Sequence, residues 1–151
     1  MACACNLIID SCCDLPFEVV DREGVELINF PYIMEDGEHV DDLYQTTTAH
    51  DFFQAMRDGA QPTTSQVPIP VYQDAFKRAI DSGVPTVCLV FSSGLSGTYH
   101  SACLAAEELA KRTRSEVVQV IGSKFVLYRE THSKPKEKRI ALVRDSKRKP
   151  N

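Results

Sequence analysis

The stretch from Thr86 to Lys111 most constrains what this chain can fold into. A short β-branched and aromatic run, TVCLVF at 86–91, passes through SSGLSGTY at 92–99 into a helical pattern. Gly83 and Pro85 precede the run, so it reads as a buried strand. Ala102, Ala105, Ala106 and Leu109 then recur at helical spacing. Glycines let a ligand approach the backbone closely, and the unpaired N–H groups of a helix's first turn favour negative charge. Ser92, Ser93, Ser96 and Thr98 add hydroxyl donors. The junction is therefore suited to an anion, although serines and glycines of this kind serve as often as plain caps and turns. It lacks the Lys that follows the last Gly of a Walker loop and the three spaced glycines of a dinucleotide fingerprint. It also fails as a nucleophile elbow, because Thr98 stands where that motif needs its second Gly.

A second hydroxyl-rich loop, PTTSQVPIPVY at 62–72, leads into another helix. Pro70 is tolerated in its first turn, Tyr72, Ala75, Phe76 and Ala79 form its apolar face, and Gly83 ends it. Thr63, Thr64 and Ser65 supply hydroxyls just ahead of that helix, where turn and cap residues also belong. Apolar runs at 6–9, 86–91 and 116–121 alternate with helical patterns, which predicts an α/β fold with parallel strands. An extended segment at 25–34 is expected to pair near the sheet edge through a hairpin turn at Asp36-Gly37, and Thr48 leads a helix carrying Phe52, Phe53 and Met56.

Three motifs in order, LIIDSCCDLP at 7–16, TTSQ at 63–66 and SSGLSGTY at 92–99, resemble the DegV family of fatty-acid-binding proteins. The resemblance runs from about Asn6 to about Ile121. It implies a DegV N-terminal-type domain with a parallel sheet, flanking helices and an edge hairpin. It also implies that the carboxylate of a long-chain fatty acid is held by hydroxyls of the two loops, while the acyl chain runs into an apolar tunnel. By position those roles fall to Thr64 and Ser96, with Ser65, Ser93 and Gly97 as weaker candidates. Neutral donors suit a carboxylate without burying an unpaired cation. The implied task is binding and delivery to a separate fatty acid kinase, with no catalysis and no cofactor beyond the bound acid. Val67 and Pro68 depart from the family's usual Pro followed by a small residue.

Charge divides the chain. From Lys124 onward there are ten Lys and Arg against three Asp and Glu, whereas the first 123 residues hold seven against eighteen. We expect a domain at 1–123 followed by a basic tail at 124–151, the end of a truncated, frame-shifted or divergent shorter homologue. Such a tail reads as a solvated segment binding neither nucleic acid nor a membrane. At 151 residues with 43% hydrophobic content, one core is expected. No apolar run approaches the roughly 20 residues needed to span a bilayer, and the start, MACACNLIID, lacks a basic leader, so the expected location is the cytoplasm. Six cysteines form no CxxC pair and are expected to be reduced and free of zinc. None of the four histidines stands in a recognisable catalytic arrangement. Asp10 and Ser11 lie where open α/β sheets gather ligands, with capping as their other role. Asp41 and Asp42 read as a solvated loop. Two other functions stay open: an α/β enzyme acting on a phosphorylated small molecule at the 92–99 turn, and an inactive truncated homologue.

Overall fold

The computed structural model describes residues 5–113 and 117–122. Strands β1 (Asn6–Asp10), β2 (Val25–Ile28), β6 (Thr86–Val90) and β7 (Val118–Gly122) form a parallel sheet in the order β2-β1-β6-β7. Leu7 pairs with Val25 on one side and Val87 on the other, and Cys88 pairs with Val120. Because side chains alternate across a strand, the runs read in the sequence divide between two faces. Ile8, Cys88 and Val90 face one core together with Tyr72, Phe76, Ala102 and Ala105. Ile9 faces a smaller one with Val20 and Leu43.

Two helices cover the larger core. Helix α3 (Ile69–Ser82) buries Tyr72, Ala75, Phe76 and Ala79, the predicted face, and ends in the left-handed Gly83. Helix α4 (Thr98–Thr113) buries Thr98, Ser101, Ala102 and Ala105 and packs against α3. The short α1 (Phe17–Val20) contributes Val20 to the smaller core. No helix among the described residues is long and apolar enough to cross a membrane.

The extended segment at 25–34 is not one strand at a sheet edge but two strands in two sheets. The ladder between β1 and β2 ends where Asp10 meets Ile28. The Phe30 N–H donates to Ser11 Oγ at 3.1 Å, and Pro31 has no N–H to offer, so the parallel pairing cannot continue. Strand β3 (Phe30–Met34) instead joins β4 (Gly37–Asp41) and the two-residue β5 (Thr63–Thr64) in an antiparallel sheet of order β4-β3-β5. Its hairpin turn falls on Glu35 and Asp36, one residue earlier than expected, with Met34 paired to Gly37. Helix α2 (Ala49–Arg57) starts at Thr48, whose Oγ1 accepts the Asp51 N–H at 3.1 Å and donates to the Asp51 carboxylate at 2.7 Å. The basic segment at 124–151, and the boundary expected at 123, lie outside the described residues.

Candidate functional site

A cavity of about 500 Å³ opens where the carboxyl ends of β1 and β6 face the small sheet. Its aromatic lining comes from Phe30, Tyr32, Tyr44, Phe52 and Phe91, and its aliphatic hydroxyls from Thr47, Thr64, Ser65 and Ser96. Phe30 and Phe91 meet edge to face with ring centres 6.3 Å apart. Tyr32 stands edge-on to Phe52 at 5.5 Å and stacks on His39 at 5.2 Å, and His39 Nε2 lies 2.8 Å from the Asp36 carboxylate. Pairing of Tyr32 with Thr64 across the ladder brings the first hydroxyl loop to this aromatic wall.

The second loop is wound tightly. The Leu95 and Ser96 N–H groups both donate to the Ser92 carbonyl, at 3.0 and 3.1 Å. Ser96 Oγ lies 2.9 Å from Thr98 Oγ1 and accepts the Thr98 N–H at 3.2 Å. Thr98 Oγ1 also accepts the Val67 N–H at 3.3 Å, a bond between the two loops. A second bond-free contact joins them at Gly97, where an added Cβ would collide with the Gln66 side-chain amide. Gly97 is required here by close approach.

Of the residues singled out in the sequence, Thr64, Ser65, Ser96 and Gly97 line one cavity, while Ser93 is exposed and not part of the lining. Asp10 and Ser11 do not line it either. Each instead holds backbone beneath it: the Asp10 carboxylate accepts the Phe91 N–H at 2.5 Å, and Ser11 Oγ accepts that of Phe30. Asp41 and Asp42, expected as a solvated loop, are half-buried and line the cavity. Asp41 accepts the Leu43 N–H at 3.1 Å, and Asp42 accepts the Gln45 N–H at 2.9 Å and is bonded by Thr46. Those bonds hold Leu43 and Tyr44 in the left-handed region, with φ of 58° and 67°. Such backbone is strained by about 1–3 kcal/mol for a residue with a side chain. Phe30, Tyr32, Phe91 and Cys12 come from separate elements and leave no local motif of a site in the sequence, and Phe52 is legible there only as a residue of α2.

Electrostatics narrow the chemistry. Burial raises the Asp10 carboxyl to about 6 despite the N–H bonds from Phe91 and Cys12, and the nearby Asp41 charge adds to the rise. Burial, with the Asp10 and Asp41 charges, pushes the Cys12 thiol up to about 12, so it is neutral and a poor nucleophile at pH 7. Burial also pushes Asp42 up, but the bonds it receives from Thr46 and Gln45 outweigh this and leave it displaced downward. None of the described residues that line the cavity is basic. What the arrangement offers is neutral donors beside apolar walls.

Comparison with known proteins identifies the family and the fold. The sequence profile of the DegV family, described as uncharacterised proteins, matches residues 4–141. A DegV domain-containing protein of Clostridium perfringens is 29% identical over 118 residues, which is 78% of this chain and 40% of that protein. A solved structure of a DegV family protein from Thermus thermophilus, described by its fatty acid binding, is 30% identical with a TM-score of 0.66, over 80% of this chain and 41% of that one. A stearic acid-binding protein from Eubacterium ventriosum is 25% identical with a TM-score of 0.68, over 78% and 40%. The chain thus spans about 40% of the length of the relatives it matches.

Proposed function

The chain belongs to the DegV family, and from that premise we propose that it binds a long-chain fatty acid and catalyses no reaction on it. The observation that carries the proposal is a single cavity in which the hydroxyls of Thr64, Ser65 and Ser96 share walls with Phe30, Tyr32, Phe52 and Phe91. The carboxylate is gripped by Thr64 and Ser96, with Ser65 and the Gly97 backbone beside them. Hydrogen bonds to a charged group contribute about 1.5–3 kcal/mol each, whereas each buried methylene contributes about 0.8 kcal/mol. A long acyl chain therefore supplies most of the affinity, and the hydroxyls select its charged end. The bound acid is presented in the cytoplasm to a separate fatty acid kinase, and no cofactor enters. A phosphorylated substrate suits the cavity less, because a dianion beside Asp41 and Asp42, with no basic partner among the described lining residues, is poorly compensated.

Mass spectrometry of the purified chain, native and then after denaturation and organic extraction, tests this reading. A stoichiometric fatty acid carried through purification, or taken up from added palmitate, is the expected result. A folded chain that carries no fatty acid and takes up no palmitate would refute it.

A further inference from the structure

The proposed grip names two hydroxyls but leaves open what aims them. Thr98 is fully buried, stands at the first position of α4 and does not line the cavity. Its Oγ1 nevertheless meets both ligand-binding loops, accepting the Val67 N–H at 3.3 Å and lying 2.9 Å from Ser96 Oγ. We propose that Thr98 is a positioning residue: it ties the 63–67 loop to the 92–97 turn and sets which way the Ser96 hydroxyl proton points. The inference rests on the fatty-acid reading given above and extends it to a residue that does not touch the ligand.

The hydrogen bonds of the pair are what carry it. Ser96 Oγ already accepts the Thr98 N–H at 3.2 Å. Either hydroxyl proton can bridge the 2.9 Å between Ser96 Oγ and Thr98 Oγ1, and when the Ser96 O–H donates, its proton is turned away from a ligand. Thr98 Oγ1 takes the Val67 N–H on one lone pair and keeps its own O–H and its second lone pair for the link with Ser96. With a carboxylate bound, rotation of the two hydroxyls lets Thr98 donate to Ser96 Oγ, so that the Ser96 proton points toward the anion. No bond is made or broken and no proton changes owner. The hydroxyl that faces the ligand is then polarised by the one behind it, which strengthens it as a donor. The same Thr98 oxygen keeps its bond to Val67, so the loop carrying Thr64 stays in place while the proton turns. A side chain without a hydroxyl at 98 does neither.

The test compares Thr98→Val, which keeps the shape and loses the hydroxyl, with Thr98→Ser, which keeps the hydroxyl, in the full chain. Two readouts are needed: palmitate affinity, alone and combined with Ser96→Ala, and hydrogen exchange at the Val67 amide. The expected results are a roughly tenfold weaker palmitate affinity for Thr98→Val, near wild-type affinity for Thr98→Ser, and a Val67 amide that exchanges faster only in the valine variant. In the Thr98→Val/Ser96→Ala double variant the loss is smaller than the product of the two single losses, because both act on one hydroxyl pair. Losses that multiply fully, a serine variant as weak as the valine one, or a Val67 amide equally protected in Thr98→Val would overturn the proposal while leaving fatty-acid binding intact. A wild-type chain that takes up no palmitate would overturn the functional reading and this proposal together.

Discussion

The parallel sheet with α3 and α4 is a packed base, whereas the small sheet with α2 is a thin wall, and the cavity lies on the seam between them. In the base, Tyr72, Phe76, Cys88 and Val90 are almost wholly buried, and small residues on α3 and α4 let the two helices close on each other. Helix α2 buries no residue fully, Phe53 and Met56 are exposed, and so are Ile33 and Val40 of the hairpin. The left-handed, exposed Tyr44 also belongs to the wall. Burial is thus concentrated in one region, and the other is only lightly packed. Elements with few buried contacts open at low free-energy cost, which suits the proposed entry of a fatty acid on this side.

The comparison breaks most visibly in the base. Phe76→Ala leaves a cavity in the main core and is expected to cost about 3–5 kcal/mol in urea unfolding. A loss below 1 kcal/mol would mean that the base is not the packed region described.

Asp10, at the seam, gives the next largest effect. Its folded pKa of about 6 lies above the 3.8 of an unperturbed carboxyl, so the folded state holds its proton more tightly than the unfolded state. Its contribution to stability is fully present below about pH 4 and is lost as pH rises through 6. At about 1.4 kcal/mol per pKa unit, the difference amounts to about 3 kcal/mol. Subtracting the unfolding free energies of Asp10→Asn from those of the wild type across pH 4 to 7 isolates it, and the difference should fall steadily with rising pH. A flat difference would contradict the assignment. The smallest stability effect belongs to the wall: Phe52→Ala should cost about 1 kcal/mol or less in unfolding yet weaken palmitate binding several-fold, since its ring lines the cavity without being buried. Equal losses from Phe52→Ala and Phe76→Ala would erase the distinction between the two regions.

The base was far more legible in the sequence than the wall, and the reason is physical. Tyr72, Ala75, Phe76 and Ala79 repeat at helical spacing because one helix face is buried, so the pattern survives in the sequence. The split of 25–34 left no such trace. Both halves are apolar enough to be strands, and the break depends on where the Phe30 N–H goes. Strand β5 is two exposed threonines, too short for any periodicity. In the site, Thr64, Ser65, Ser96 and Gly97 belong to two local motifs and could be read together by resemblance. The aromatic lining could not, because Phe30, Phe52 and Phe91 are neighbours only after folding. Asp10 and Ser11 stood at the right end of the strand, but sequence could not tell a ligand contact from a bond to the backbone.

The most direct test of the account is a calorimetric titration of palmitate, and of the uncharged hexadecanol, into the wild type and the Thr64→Ala/Ser96→Ala variant. Loss of two bonds to a carboxylate should weaken palmitate by roughly 100-fold or more, while hexadecanol, held mainly by the apolar walls, binds both proteins with similar affinity. An unchanged palmitate affinity in a folded double variant would contradict the claim that these two hydroxyls hold the charged end.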